Sequence, residues 1–181
     1  MVVDVGGQRR RTGRSRRKGK NAEEAEDALR ATENPAMTRE RADRLLAECG
    51  EPSIADYAAI GNCKTLGLVS RQGSIDWLCL PWPHSPSIFG AILDAERGGR
   101  WRLAPAAPRP VSRRYIGRSN VLETTLRGDG GVLRLVDALM VTPDRERQRE
   151  TLPDFELARR IECIEGEVDV HCEIEPRPGY G

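Results

Sequence analysis

The chain shows its clearest hydrophobic and polar alternation near its middle. Thr65, Gly67 and Val69 fall on one face of an extended segment, with the intervening residues on the other. In the following run, residues 74–80, both faces carry apolar side chains. The pattern predicts a hairpin whose second strand is covered on both sides, with Gly73 in the left-handed position of a three-residue loop.

The same period recurs further along the chain. Residues 101–106 form one predicted strand, and residues 113–128 and 131–141 form a second hairpin. Residues 155–176 predict a third hairpin that turns at residues 165–166. Repeated hairpins without alternating helices indicate an all-β protein, an antiparallel β-sandwich.

Two segments have helical features, so we expect one or two short helices beside the sandwich. Ser87 can cap a helix that ends at Gly98 and Gly99 and that has one apolar face, formed by Ile88, Phe89, Ile92 and Leu93. Thr38 and Gly50 bound the second segment.

Composition divides the chain further. Residues 8–20 carry eight basic groups and no acid, whereas the rest has 21 basic and 28 acidic residues. We predict a disordered basic tail over 1–36, a short helix or linker over 37–52, and the β-sandwich over 53–181. The arginines could bind nucleic acid or an anionic surface, but the acidic body disfavours a nucleic-acid partner. Met37 offers an alternative start to Met1.

The five cysteines are spread widely, and the sequence has no C-x-x-C. A hairpin centred near Gln72 would place Cys63 opposite Pro81 and only diagonally near Cys79, which suits neither a disulfide nor a zinc site. We therefore predict reduced thiols, a cytoplasmic protein, and no metal or cofactor. No apolar run approaches the ~20 residues of a membrane span, so no membrane partner is expected.

The loop after the first hairpin, "PWPHSPS", holds the candidate binding residues. Trp82, His84 and Ser85 supply an aromatic face and hydrogen-bonding groups, which suit a sugar-binding surface. The alternative is a proline-stiffened connection with Trp82 covering the edge of the core.

No catalytic residue can be assigned from the pattern. A glycosidase needs two carboxyl groups on either side of one bond, and the sequence does not identify such a pair. For the acidic residues Asp56, Asp76, Glu123 and Asp137 we predict surface or cross-strand ion pairs.

The central segment also resembles a known family. "IADYAAIGNCKTLGLVSRQGSIDWLCLPWPHSPSIFGAIL" is similar to the start of bacterial glycoside hydrolase family 15 proteins, the glucoamylase and trehalase-like enzymes. The likeness continues in order through "GGRWRLAPAAP", "RRYIGRSNVLETTL", "GVLRLVDALMV" and "LARRIECIEGEVDVHCEIEPRPGYG", and it covers residues 53–181. The chain departs from the family at Asn62, where the family has Asp, and at Pro83-His84, which replaces Phe-Asp.

The resemblance implies an N-terminal sandwich followed by an (α/α)6 barrel that is absent from this sequence. In the family, two barrel glutamates hydrolyse an α-glucosidic bond with inversion, so this chain would be catalytically silent alone. The implied partners are that missing C-terminal barrel and, in the full protein, an α-glucoside or trehalose substrate. A non-enzymatic carbohydrate-binding or interaction module, or a gene remnant, is the alternative. A sandwich shortened in this way would expose a sheet edge, and we expect self-association.

Overall fold

The computed structural model describes residues 2–6, 52–141 and 155–180. Within these ranges the chain forms strands and two short 3-10 turns, Ile54–Asp56 and Pro178–Tyr180. The strands are β1 (Val2–Gly6), β2 (Tyr57–Gly61), β3 (Leu66–Ser70), β4 (Ser74–Cys79), β5 (Ser87–Phe89), β6 (Trp101–Pro105), β7 (Arg109–Tyr115), β8 (Leu122–Arg127), β9 (Gly131–Leu139), β10 (Leu157–Gly166) and β11 (Val170–Ile174).

The strands form two sheets. The first sheet has the order β1-β10-β9-β8-β7, and the second has the order β11-β6-β4-β3-β2, with β5 paired to β4. Every pairing is antiparallel except that of β1 with β10. The all-β antiparallel prediction is therefore confirmed.

The predicted first hairpin is present as β3 and β4. Gly73 has a φ of 82° at the end of the three-residue loop, and its N–H donates to the Ser70 carbonyl at 3.1 Å. All but one residue of β4 are buried. This matches a central strand with apolar groups on both faces, which sequence periodicity had indicated.

The core lies between the sheets. Its main cluster contains buried side chains from both sheets: Ile60, Val69, Ile75, Leu78, Phe89, Trp101, Leu122, Leu139 and Leu157. A smaller cluster joins Ala104 of β6 to Leu126 and Leu133 of the opposite sheet. Burial of these apolar side chains supplies the main driving force for sheet-on-sheet packing.

A buried ion pair lies within the first sheet, and its arginine also donates hydrogen bonds to the second sheet. Arg159 on β10 and Asp137 on β9 face each other across the strands, both side chains are fully buried, and Arg159 Nε lies 2.7 Å from Asp137 Oδ1. The same guanidinium donates to the Trp101 carbonyl at 2.6 Å and to the Gly73 carbonyl at 2.9 Å in the other sheet. It also lies 5.1 Å from the centroid of the Trp101 ring, a cation–π contact.

The predicted helix at Ser87 is wrong. Residues 87–89 form β5, which pairs with β4, and turns follow. Gly90 is a poor helix residue, and its N–H donates to the Gly98 carbonyl at 2.6 Å. A Cβ on Gly98 would lie 2.2 Å from the Gly90 carbonyl, so this close glycine contact closes a loop where the pattern suggested a helix.

The predicted third hairpin is also wrong in its pairing. Gly166 does turn the chain, with a φ of 67°, but β10 pairs with β9 and β11 pairs with β6 of the other sheet. The turn packs against Gly130, because a Cβ added to Gly166 would lie 2.2 Å from the Gly130 carbonyl oxygen. Alternation with a period of two identifies strands but not the strands with which they pair. A connection that crosses between sheets therefore has the same sequence pattern as a hairpin.

The segment 113–128, predicted as one strand, contains β7, a turn and β8. Strand β2, which precedes β3 and pairs with it, is not predicted by the alternation. Cys63, with a φ of 64°, lies in the turn between β2 and β3, so the predicted opposition of Cys63 and Pro81 is wrong.

Two predictions concern segments that are largely outside the described residues. The backbone of residues 2–6 forms β1, whereas the rest of the predicted tail and the helix or linker over 37–52 lie almost wholly beyond the described ranges. The division of the chain at residues 36 and 52 stays a prediction.

Candidate functional site

The candidate loop is a closed turn between β4 and β5. The Trp82 N–H donates to Ser85 Oγ at 3.2 Å, and the Ser85 N–H donates to the Trp82 carbonyl at 3.0 Å. His84 is exposed within the same turn. The structure therefore brings Trp82 and Ser85 together, and the hydroxyl of Ser85 already accepts a backbone hydrogen bond.

An aromatic surface extends from this turn. Trp82 is 43% exposed and meets Phe155 edge to face, with ring centroids 6.0 Å apart. The Lys64 ammonium lies 5.5 Å from the centroid of the Phe155 ring. We call Lys64, Trp82, His84, Ser85 and Phe155 the loop surface.

The turn between β2 and β3 is attached to the loop surface. Asn62 Oδ1 accepts the N–H groups of Lys64 and Thr65, and its Nδ2 donates to the Met140 carbonyl at 3.5 Å. Thr65 Oγ1 donates to the Cys79 carbonyl at 2.7 Å, at the end of β4. Aspartate could accept as Asn62 does but could not donate to Met140, so the departure at Asn62 has a structural role here.

Sequence reasoning missed Lys64 and Phe155 as members of this surface. Phe155 lies more than 70 residues from Trp82 along the chain, and only the pairing of β9 with β10 brings it near. No local motif marks such a contact.

Of the four acidic residues that were predicted to form ion pairs, three do so. Asp56 lies 3.1 Å from Arg71, Glu123 lies 2.8 Å from Arg114, and Asp137 pairs with Arg159. These predictions are confirmed. A hydrogen bond from the hydroxyl of Ser53 is the main cause that lowers the pKa of Asp56.

Asp76 does not follow that prediction. Its carboxylate is buried within the sheet and accepts hydrogen bonds from the Ser74 hydroxyl and, at 2.8 Å, from the Tyr57 hydroxyl. A carboxylate enclosed in this way connects side chains of β2 and β4 and cannot reach a sugar in solvent.

One shallow cleft among the described residues lies beside β7. It is lined by Arg71, Pro110, Val111, Ser112, Arg113 and Thr124. A glycosidase site needs paired carboxyl groups, and this lining contains none. The described ranges also contain no cluster of His, Cys, Asp and Glu that could bind a metal, and no helix long and apolar enough to span a membrane.

The cysteines give a direct test of the packing. Cys79 is buried, and burial raises the pKa of its thiol, whereas Cys63 and Cys163 are exposed. Because the thiolate is the reactive form and the Cys79 thiol is enclosed, we expect iodoacetamide to alkylate Cys63 and Cys163 faster than Cys79 in the native protein, by about tenfold or more. Peptide mass spectrometry would measure the rates. Equal rates in the native state, as in urea, would contradict the described core.

The fold is a domain of two sheets in which nearly all strand pairs are antiparallel. The loop surface gives it an exposed aromatic face, and the lining of its described cleft contains no paired carboxyl groups. The chain belongs to the family described as "Trehalase-like, N-terminal", whose profile matches residues 40–181. This chain therefore corresponds to the N-terminal portion of a trehalase-like protein.

The relatives support this assignment. The trehalase of Mycolicibacterium smegmatis is 42% identical over 140 residues, which cover 71% of this chain and 21% of that protein. The trehalase of Mycobacterium tuberculosis is 40% identical over 140 residues, covering 71% and 20%, and that of Thermoplasma volcanium is 34% identical over 135 residues, covering 73% and 21%. The chain thus spans about a fifth of the curated relatives it matches. No solved structure matches it.

Proposed function

We propose that this chain is the sandwich portion of a glycoside hydrolase family 15 α-glucosidase that acts on trehalose, and that it is catalytically silent alone. The family match over residues 40–181, together with coverage of only a fifth of each trehalase, carries this proposal. The relatives' printed names favour trehalose over an α-glucan. The catalytic barrel, with its two glutamates and its inverting reaction, would lie in the remaining four fifths.

The enclosed carboxylates support a silent sandwich. Asp137 is neutralised by Arg159 inside the core, and Asp76 is held by two hydroxyls. Neither can approach a glycosidic oxygen, which a general acid must contact at about 3 Å. The domain's proposed role is to support the barrel and to border its substrate pocket.

A chimera tests the proposal. Residues 53–181 would replace the matching segment of the Mycolicibacterium smegmatis trehalase, and glucose release from trehalose would be measured. We expect activity in the chimera and none in the 181-residue chain, because the reacting groups are on the barrel. The matched control is the same trehalase without its matching segment, which should lose at least tenfold in kcat/KM. Glucose release by the purified 181-residue chain would refute the proposal.

We propose Trp82, His84 and Ser85 as residues that border the substrate pocket in the complete protein. An exposed indole beside an imidazole suits stacking and hydrogen bonding to a sugar. In the chimera, Trp82→Ala should raise KM roughly tenfold, equivalent to one contact of about 1.4 kcal/mol. Tyr115→Ala, which removes a similarly exposed aromatic ring on β7, is the control and should leave KM unchanged.

The loop surface also favours a second candidate function, a non-enzymatic carbohydrate-binding module. Its exposed Trp82 next to Phe155 could bind a sugar without any barrel. Isothermal titration of the 181-residue chain with trehalose and maltose distinguishes the two, since only the module binds sugar unaided. For either function we propose a reducing, cytoplasmic setting, because Cys63, Cys79, Cys163 and Cys172 are free thiols.

A further inference from the structure

Strand β11 forms one edge of the second sheet, and alternate residues direct their backbone groups away from its neighbour β6. The N–H of Leu103 donates to the Gly73 carbonyl, away from β11, so Cys172, opposite Leu103, directs its own N–H and C=O away from β6. Val170 and Ile174 share this orientation because strand residues alternate. No described residue is hydrogen-bonded to these outward groups.

Two other edges, those of β2 and β7, are protected. Tyr115 and Asn120 donate to the outward carbonyls of Ala59 and Gly61, which covers β2. Strand β7 contains Pro110 and has a register shift between Pro110 and Ser112. Proline, bulges and covering side chains are the usual means by which sheet edges avoid pairing, and β11 has no register shift and no proline.

The sequence of β11 is complementary to itself. If a second copy pairs antiparallel about Cys172, Val170 faces Ile174 of the other copy and His171 faces Glu173. The apolar residues at the strand ends would then pack together, and the imidazole would lie opposite a carboxylate, a favourable cross-strand pair. The two Cys172 residues would face each other as a hydrogen-bonded pair, with Cα atoms about 5.5 Å apart.

We propose that this chain forms a two-fold symmetric dimer in which β11 of each copy extends the second sheet of the other. The interface exchanges backbone hydrogen bonds at Val170, Cys172 and Ile174. Such a dimer is isologous, since the same strand serves on both sides. Its small area makes it a weak, concentration-dependent assembly.

Light scattering coupled to size exclusion, over roughly 1–100 µM chain, tests the dimer by mass because a small interface associates weakly. The mass should double at the upper end. Cys172→Pro removes an N–H that β6 does not use, so it should weaken association at least tenfold while the fold persists. Cys172→Ser keeps that N–H and should still dimerise. His171→Glu, which places two carboxylates opposite each other, is a second disrupting variant.

Diamide, a diazene that accepts two electrons and two protons, gives an independent readout. It should oxidise the two facing Cys172 thiols to one intermolecular disulfide and become the hydrazine. The covalent dimer should vanish in Cys172→Ser and persist in Cys163→Ser, which removes another exposed thiol. A monomer at 100 µM with Cys172 protected from diamide would mean that the chain's own residues cover the edge. That result, or a dimer unaffected by Cys172→Pro and His171→Glu, overturns the proposal.

Discussion

Replacing Asp137 with alanine is expected to lower the free energy of unfolding by about 3–5 kcal/mol, the usual cost of leaving one member of a buried ion pair uncompensated. Both side chains of the Asp137–Arg159 pair have no solvent exposure. The variant would therefore keep a guanidinium charge in the core with no anionic partner from Asp137, held by the Trp101 ring and by the carbonyls of Trp101 and Gly73. Urea unfolding followed by tryptophan fluorescence measures the change.

A surface pair provides the matched control for that variant. Asp129 and Arg109 lie 3.9 Å apart, and their side chains are 82% and 75% exposed. Exposed pairs contribute about 0–1 kcal/mol, so Asp129→Ala should be close to neutral. If both alanine variants unfold at nearly the same urea concentration, the Arg159 clamp does not stabilise the sandwich as its burial indicates.

The sequence predicted the strands better than their partners. Alternation identified β3, β4 and β6 because each strand places its own side chains on two faces, which is a local property. The crossing from β10 to β11 depends instead on Gly166 packing against Gly130, and on β6 offering a free edge. Neither condition leaves a mark on periodicity, so the sequence favoured a hairpin.

In the candidate site, too, the local features could be predicted from the sequence and the long-range contacts could not. The Trp82–Ser85 turn is local, and its proline-rich sequence was sufficient to identify it. Phe155 and Lys64 join it only through strand pairing, and the roles of Asp137 and Asp76 depend on burial. Spacing identifies a residue's type and neighbours in the chain, whereas enclosure by the opposite sheet decides whether a carboxylate is buried.

Gly73→Ala is expected to destabilise the domain by roughly 2–5 kcal/mol, from a positive-φ penalty of about 1–2 kcal/mol and an overpacking cost of about 1–3 kcal/mol. The residue has a φ of 82°, and a Cβ would stand 2.8 Å from the Leu103 carbonyl oxygen. It would also lie within 3.3 Å of the Leu126 and Leu135 side chains in the facing sheet. Relief of these contacts would move the backbone of Gly73, whose own carbonyl accepts a hydrogen bond from Arg159. The loop and the ion pair would therefore be weakened together.

Gly117→Ala separates the two causes. Gly117 has a φ of 58°, but no atom lies within 4 Å of the Cβ position, so only the backbone penalty of about 1–2 kcal/mol applies. In urea unfolding, Gly73→Ala should therefore lose more stability than Gly117→Ala. In the double variant Gly73→Ala/Asp137→Ala, the loss of unfolding free energy should differ from the sum of the two single losses, because both changes affect the contacts of Arg159. Equal losses at the two glycines, with full additivity, would show that the β3–β4 loop does not pack against the opposite sheet.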